Sequence, residues 1–405
     1  MTATYPLERL HSDFAARFSI APAAVRAVFA PYRICPLGAH IDHQLGPVTA
    51  MAIDRGVTLV YAPLPRPAVE VASCDFPGEV VQDLREIPSR QPGAWGNYLR
   101  GAACALQQRH ALPVGLAGLV QGSAPEGGLS SSAAVGVAYL LALADVNGLA
   151  LTREDFVRLD QYIENQYLGL RNGVLDQAAI LFSRRDHLTR IDCETLSRDQ
   201  WPFPPGGLRY AILIAFSGLR QALITTDYNR RVEECAEAAR ILLAAAGRPD
   251  EQALLSRVTA DEFACHRRRL PDALARRAEH FFSEVERVRR GCSAWQAGDL
   301  GQFGRLVSES GASSIVNYEC GAPPLVDLYR LLIDSPGVYG ARFSGAGFRG
   351  CCLAFVEANR AESIAARVAA SYQQLHPDLA DHTQMWICHT ADGAAVLERA
   401  VEPHA

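Results

Sequence analysis

The feature that most constrains this chain is the segment Gly122–Ala134, in which glycines and serines run directly into an apolar stretch with helical spacing. A glycine-rich turn allows backbone N–H groups to converge on one point, and a helix that begins there adds its positive dipole end and its unpaired donors. The segment therefore predicts a phosphate cradle. The alternative is an ordinary turn with a serine N-cap, and the segment alone does not decide between the two.

The chain contains no lysine, since all 39 of its basic residues are arginine. A P-loop needs a lysine after its second glycine, and protein kinases need a lysine on a strand, so both kinds of phosphate site are excluded. A nucleotide site in this chain would have to use backbone donors, serine hydroxyls and arginine.

With 405 residues the chain is too long for one ordinary core, and two large domains are expected. Proline and glycine crowd the segment Trp201–Gly207, so we predict an N-terminal lobe over residues 1–200 and a C-terminal lobe over residues 208–405. Apolar periodicity predicts helices at 7–18, 95–108, 154–168, 226–246 and 272–297, and strands at 25–32, 57–62, 68–73, 115–121 and 210–216. This mixture predicts an α+β protein in two lobes.

Charge and cysteine usage exclude several classes of protein. The net charge of −5 argues against a nucleic-acid surface or an anionic-membrane surface. Eleven cysteines show no metal-ligand spacing, charged residues interrupt the first twenty positions, and the longest apolar run is too short to span a bilayer. We expect a reduced, cytoplasmic protein without a membrane or nucleic-acid partner.

Three further segments carry residues suited to chemistry, and each has a plain structural alternative. Pro31–His43 holds an arginine, two histidines and an aspartate, which a polar loop could also contain. Glu164 and Asp176 are separated by twelve positions and could be an exposed helix carboxylate and an N-cap. Gly340–Gly350 contains four glycines, which a hairpin turn would also favour.

Taken together and in this order, the four segments resemble the GHMP-type small-molecule kinases, in their galactokinase branch. Members carry Arg-x-x-x-x-Gly-Glu-His-x-Asp near the start, Gly-Leu-Ser-Ser-Ser-Ala in the middle and a late Gly-Ala-Arg-x-x-Gly-x-Gly-Phe-x-Gly. Ser73–Gly78 and Trp95–Tyr98 match the same branch. The resemblance implies an N-terminal lobe with a left-handed βαβ unit and a ferredoxin-like C-terminal lobe, with substrate and nucleotide between them.

By this resemblance, Asp176 would accept the proton of the anomeric hydroxyl, and Arg33 would stabilise the transferring phosphoryl group. Glu164 and the hydroxyl of Ser131 would hold Mg²⁺. The residues implied to cradle the β- and γ-phosphates of ATP are Gly127, Gly128, Ser130, Ser131 and Ser132. The implied sugar contacts are Ala39, His40, Asp42, Gly173 and Tyr228, and the residues expected near the nucleotide base are Ser73, Trp95 and Asn97.

Three departures from the galactokinase pattern are informative. Ala39 replaces the glutamate of the first motif, His43 replaces a tyrosine, and Arg349 replaces a glycine. In galactokinases that glutamate reaches the hydroxyl on carbon 6, where a uronic acid carries a carboxylate. Two carboxylates in a partly desolvated pocket repel each other, so an alanine favours the acidic sugar. The donor to that carboxylate could be His40, His43 or Arg171.

With these departures, the chain closely resembles the members that phosphorylate galacturonate, and we predict an ATP- and Mg²⁺-dependent sugar-acid 1-kinase. The alternatives are a kinase of galactose or of glucuronate, and a non-catalytic sugar sensor built on the same fold. Sensors in this branch lack the Ser-Ala pair that this chain keeps at Ser132 and Ala133, which favours the enzyme.

Overall fold

The structure, a computed structural model, describes residues 7–123, 127–206, 209–219, 227–348 and 350–397. Arg349 and residues 124–126 of the glycine–serine segment lie outside this range, as does Gly207 at the predicted boundary. The described helices are α1 (Leu7–Phe18), α2 (Asn97–Gln107), α3 (Ser131–Val146), α4 (Arg153–Tyr162), α5 (Leu175–Phe182), α6 (Tyr228–Ala245), α7 (Ala260–His266), α8 (Asp272–Gln296), α9 (Leu300–Val316), α10 (Pro323–Ile333) and α11 (Ala361–Leu375).

The described strands are β1 (Arg26–Ile34), β2 (Val48–Leu64), β3 (Ala68–Ser73), β4 (Glu79–Asp83), β5 (Gly115–Gly122), β6 (His187–Ile191), β7 (Arg198–Pro202), β8 (Tyr210–Phe216), β9 (Val338–Phe343), β10 (Cys351–Glu357), β11 (Gln384–Cys388), β12 (Thr390–Ala391) and β13 (Ala395–Leu397). The predicted helices and strands are confirmed, with boundary shifts of a few residues, except that β2 begins nine residues before its predicted start. The sequence prediction of an α+β protein is therefore confirmed.

The first sheet has the order β13-β1-β2-β5-β3-β4, and β6 and β12 also pair with β2. Its pairings are antiparallel apart from β3 and β5, which run parallel and are connected through β4 and α2. Helix α3 packs against β1 and β2 and also touches α2, α4 and α5. It is apolar on nearly all sides, as expected for a helix covered by protein on every face.

The second sheet has the order β11-β8-β10-β9. Numbered within the lobe, this is the order 4-1-3-2, with helices between the first and second strands and between the third and fourth. That arrangement is the ferredoxin-like β-α-β-β-α-β unit predicted for the C-terminal lobe. The central strand β8 pairs with β10 and β11 and is almost continuously apolar, in keeping with the burial of six of its seven residues.

The end of the described chain returns to the first sheet. Thr390–Ala391 pairs with β2, and Ala395–Leu397 pairs with β1. The predicted boundary near residues 200–208 lies between β7 of the first sheet and β8, the first strand of the second sheet. The last two described strands, β12 and β13, nevertheless belong to the first sheet. In the part of the chain that the structure describes, no helix is both long enough and apolar enough to cross a bilayer.

The helix predicted at 154–168 consists of two parts. Thr152 and Asp155 form a capping box that starts α4. After Tyr162 the backbone widens into a π-helical turn, Ile163–Tyr167, which contains Glu164. Such turns are frequent at functional sites, where one extra residue redirects the side chains that follow it.

Candidate functional site

The centre of the site is an ion pair between Arg33, near the end of β1, and Asp176, in the first turn of α5. Arg33 Nε donates to Asp176 Oδ1 at 2.7 Å, and the arginine side chain is 3% exposed. Burial alone would lower the pKa of Arg33, but the charge of Asp176 and its hydrogen bond outweigh burial, and the pKa is raised. The guanidinium therefore stays charged, and it holds one carboxylate oxygen in a fixed position.

The glycine–serine segment lies directly beside this pair. Arg33 Nη1 donates to the carbonyl oxygen of Gly128 at 3.2 Å. Gly127 and Gly128 have φ values of 128° and 82°, and Ser130 adopts a left-handed conformation at the start of α3. The Ser130 side chain makes no capping bond, and its buried hydroxyl has no partner among the described residues. The ordinary serine N-cap is therefore not what this segment forms.

A glycine hairpin from the second lobe touches the same segment. An added Cβ at Gly128 would lie 2.8 Å from the backbone nitrogen of Cys351 and 2.9 Å from the carbonyl oxygen of Ser344. The thiol of Cys351 donates to the carbonyl oxygen of Gly127 at 3.2 Å. The late motif therefore approaches the glycine–serine segment closely, and only glycine fits at position 128 because both φ and the contact exclude a side chain.

Glu164 lies buried between the serines and the loop that leads to Asp176. Ser132 Oγ donates to Glu164 Oε1 at 3.0 Å, and the amide of Asn172 donates to Oε2. Burial, followed by the charge of Asp176, raises the pKa of Glu164 to about 7. The hydroxyl beside Glu164 belongs to Ser132, one residue later than the predicted Ser131, because residue 132 is on the face of α3 that meets the π-helical turn.

Two nearby polar residues were missed by the sequence analysis. Asn172 fixes one oxygen of Glu164, but a single asparagine in a polar segment gives no distinct signal. Asp160 lies one turn before Glu164 and is 1% exposed, and neither of its carboxylate oxygens has a partner in the described ranges. Asp160 and Glu164 are four positions apart, a spacing that places both carboxylates on one face of a helix. The sequence therefore contained a signal for this pair.

Three predicted sugar contacts, Asp42, Gly173 and Tyr228, meet next to the ion pair. The backbone N–H of Leu175 donates to Asp42 Oδ2 at 3.3 Å. A Cβ at Gly173 would lie 2.5 Å from the same oxygen, so any larger residue would displace Asp42. Burial, then the charges of Asp42, Asp176 and Glu164, raises the pKa of the Tyr228 phenol well above its usual value.

Ala39 and His40 lie where the first lobe meets α8 and the segment after α9. The Ala39 carbonyl accepts a hydrogen bond from His280 Nε2 at 3.0 Å. His40 has φ 65° and stacks on the ring of Tyr318, with centroids 4.4 Å apart. Burial and then the charge of Arg342 lower the pKa of His40 well below its usual value, so its imidazole is neutral.

The other two candidate donors to a substrate carboxylate, His43 and Arg171, are already engaged. Burial and the neighbouring His280 lower the pKa of His43 to about 4, and its Nε2 contacts the hydroxyl of Tyr318 at 3.2 Å. Arg171 is 60% exposed and forms an ion pair with Glu233 on α6. Neither residue presents a free positive charge to the centre of the site.

The residues expected near the nucleotide base each bind backbone groups of nearby turns and loops. Ser73 ends β3 and accepts hydrogen bonds from two backbone N–H groups of the turn that follows. Trp95 Nε1 donates to the carbonyl oxygen of Pro77 at 3.2 Å. The amide of Asn97 is occupied by the backbone of Gln91, so in this structure it closes the loop before α2.

Asp42→Asn should raise the melting temperature at pH 7.5 by a few degrees. Burial and the charge of Asp176 raise the pKa of Asp42 from 3.8 to about 6. The folded state therefore binds this proton more tightly than the unfolded state does, so the carboxylate lowers the free energy of unfolding above pH 6, and this cost is lost as the pH falls toward 4. Thermal unfolding between pH 4 and 7.5 tests the expectation, with the exposed Asp250→Asn as the matched control. A lower melting temperature for Asp42→Asn at pH 7.5 would contradict it.

The fold and the site define a class of protein, the two-lobed kinases of small molecules. The chain belongs to the GHMP kinase family and, within it, to the galactokinase branch. Residues 97–184 match the family GHMP kinases N terminal domain, residues 292–374 match GHMP kinases C terminal, and residues 12–63 match the galactokinase galactose-binding signature.

Known proteins support this assignment across almost the whole chain. A galacturonokinase of Arabidopsis thaliana is 49% identical over 397 residues, covering 92% of this chain and 94% of that protein. A galactokinase of Roseiflexus is 34% identical and covers 96% of this chain and 97% of its own length. The crystal structure of Lactococcus lactis galactokinase with galactose superposes with a TM-score of 0.88 at 30% identity, covering 96% of this chain and all of that one.

Proposed function

We propose that the chain is a sugar-acid 1-kinase that transfers the γ-phosphoryl group of ATP to the anomeric hydroxyl of galacturonate. The products are galacturonate 1-phosphate and ADP. The observation that carries the proposal is the Arg33–Asp176 ion pair beneath the glycine–serine segment, at a site where residue 39 is a buried alanine. The similarity to the Arabidopsis galacturonokinase over 92% of the chain supports the choice of substrate.

Asp176 is the proposed acceptor of the anomeric proton. Arg33 holds one of its oxygens at 2.7 Å, which leaves the 22% exposed carboxylate fixed in orientation and facing the site. Little covalent chemistry is required of the protein in phosphoryl transfer, so positioning and charge stabilisation dominate the rate. Arg33 would then stabilise the negative charge on the phosphoryl oxygens as they pass between donor and acceptor.

The β- and γ-phosphates would lie against the start of α3. Gly127 and Gly128 allow close approach of the backbone, and the Ser130 hydroxyl is buried and without a partner in the described chain. Helix α3 begins at Ser131 and contributes its dipole and its unpaired N–H groups. Because the chain has no lysine, the proposed phosphate ligands are the backbone N–H groups at the start of α3, the Ser130 hydroxyl and Arg33.

The residues around Glu164 fit a Mg²⁺ ion. Two oxygen-bearing side chains, Glu164 and Ser132, lie 3.0 Å apart. Burial and then the charge of Asp176 raise the pKa of Glu164, so a cation beside it would favour the charged form of this carboxylate. Carboxylate and hydroxyl oxygens are ligands that Mg²⁺ accepts alongside water and phosphate. When bound, the ion would neutralise charge on the β- and γ-phosphates. We therefore assign Glu164, with Ser132 beside it, to the metal site, and Asn172 to the orientation of Glu164.

Ala39 is the proposed determinant of an acidic substrate. Its position is 5% exposed, so a glutamate there would place a second carboxylate in a poorly solvated region. The repulsion between two carboxylates about 4 Å apart is on the order of 4 kcal/mol at an effective dielectric constant of 20. The methyl group removes this repulsion and leaves room for the substrate carboxylate.

Ser73 and Trp95 remain the proposed neighbours of the nucleotide base.

The test of this function is a coupled ADP-release assay with galacturonate, glucuronate and galactose at equal concentrations. We expect kcat/KM for galacturonate to exceed that for galactose by at least about 10-fold, since a buried charge mismatch costs several kcal/mol. We expect it also to exceed kcat/KM for glucuronate, which has the same charge and differs only in the configuration at carbon 4. A preference for galactose would replace the proposal with a galactokinase, and a preference for glucuronate would change the sugar acid. Sugar-dependent stabilisation without turnover would indicate a sensor.

A further inference from the structure

The two sides of the sugar site differ in charge. On the first-lobe side, the carboxylates of Asp42, Glu164 and Asp176 lie near one another, and Asp176 is paired with the guanidinium of Arg33. An acidic sugar whose carboxylate pointed to this side would meet strong repulsion. The opposite, second-lobe side must therefore receive the carboxylate if the anomeric hydroxyl is to face Asp176.

The second-lobe side carries a surplus of buried positive charge. Arg342 on β9 is fully buried, and in the described ranges its guanidinium donates only to neutral oxygens, those of Ser310, Ser314 and Phe343. The nearby Glu284 is already paired with Arg287, whose Nε donates to it at 2.6 Å. Two arginines thus face one glutamate. The charge of Arg342 reaches the residue-39 region, since it helps to lower the pKa of His40 after burial.

A chain of hydrogen bonds ends at a hydroxyl on this side. The backbone N–H of Leu255 donates to Gln44 Oε1 at 3.0 Å, which fixes the orientation of that amide. Gln44 Nε2 must then donate to His43 Nδ1, 3.2 Å away. The proton of the neutral His43 imidazole therefore resides on Nε2, which donates to the Tyr318 hydroxyl oxygen at 3.2 Å.

This direction leaves the hydroxyl proton of Tyr318 unused. The Tyr318 hydroxyl oxygen accepts a hydrogen bond from His43 Nε2, so the hydroxyl proton is not donated to His43. No other acceptor for this proton occurs among the described residues. Tyr318 is fully buried, and its ring stacks on His40 and lies 5.2 Å from the His280 ring that binds the Ala39 carbonyl. A buried donor without an acceptor is costly unless a ligand supplies one.

We propose that Tyr318 is a specificity-determining residue whose hydroxyl donates to the carboxylate of the sugar acid. In this arrangement Gln44 and His43 are positioning residues that keep the proton pointed at the substrate, and Arg342 supplies the surrounding positive charge. The inference rests on the proposed function, because it assumes a carboxylate at carbon 6. It also explains why position 43, where galactokinases have tyrosine, is a histidine here.

The test is calorimetric binding of galacturonate and of galactose to the full chain without nucleotide. Tyr318→Phe keeps the ring that stacks on His40 and removes only the hydroxyl. We expect it to weaken galacturonate binding about 10- to 100-fold, the range for a hydrogen bond to a charged group, and to change galactose binding less than about 3-fold. Tyr329→Phe is the matched control, since it removes a buried hydroxyl that donates to the carbonyl oxygen of Ser308.

His43→Phe and the double variant test the positioning role. If His43 acts only through the Tyr318 hydroxyl, the double variant should bind galacturonate no more weakly than Tyr318→Phe alone, whereas a direct contact from His43 would make the losses add. Galacturonate binding within 2-fold of wild type in Tyr318→Phe overturns the inference, as does an equal loss for both sugars. If wild type does not bind galacturonate at all, the proposed function itself has failed.

Discussion

Asp176→Asn should lower kcat for galacturonate phosphorylation on the order of 1000-fold, while ATP binding changes less than about 3-fold. An asparagine cannot accept the anomeric proton, and it removes the negative partner that Arg33 Nε now contacts at 2.7 Å. The phosphate cradle is built from the glycine–serine segment and the start of α3, so nucleotide affinity should survive. Single-turnover kinetics and ATP titration separate the two quantities.

Asp199→Asn is the matched control for this variant. It makes the same chemical change in an ion pair with Arg190 at the protein surface, where both side chains are at least 38% exposed, and it should leave turnover unchanged. Full activity in Asp176→Asn would remove this residue from the mechanism. A parallel loss of ATP affinity would mean that Asp176 acts by holding Arg33 against the phosphates.

Ala39→Glu should lower kcat/KM for galacturonate by about 100- to 1000-fold, in keeping with a repulsion on the order of 4 kcal/mol between two close carboxylates. Residue 39 is 5% exposed, so little water is available to screen the new charge. The same variant should gain activity on galactose, because the new carboxylate can accept a hydrogen bond from the hydroxyl on carbon 6. Initial rates with both sugars measure the two effects together.

Ala39→Gln separates charge from volume. Glutamine occupies nearly the same space as glutamate without the charge, so it should lose much less galacturonate activity than Ala39→Glu. Equal losses in the two variants would show that residue 39 acts by size. Unchanged galacturonate activity in Ala39→Glu would show that this position does not select the sugar.

The sequence by itself determined the parts of the site that are local in the chain. Each of three segments spans only about a dozen residues: the glycine–serine segment, the Glu164–Asp176 segment and the late glycine hairpin. Their glycines mark the positions where the backbone adopts conformations that other residues disfavour. The same holds for the helices and strands, because apolar periodicity reflects which face each element buries. The placement of Arg33 and Asp176 in one site came only from the family resemblance, because 143 positions separate the two residues.

Tertiary structure decided everything that depends on distant segments meeting at fixed angles. It placed the hydroxyl of Ser132 against Glu164, since the π-helical turn and α3 meet at an angle that no local pattern encodes. It engaged Arg171 at the surface, and it oriented His43 between Gln44 and Tyr318, which lies 275 positions away. Hydrogen-bond direction depends on the full set of partners around each polar atom, and only the folded chain brings these partners together.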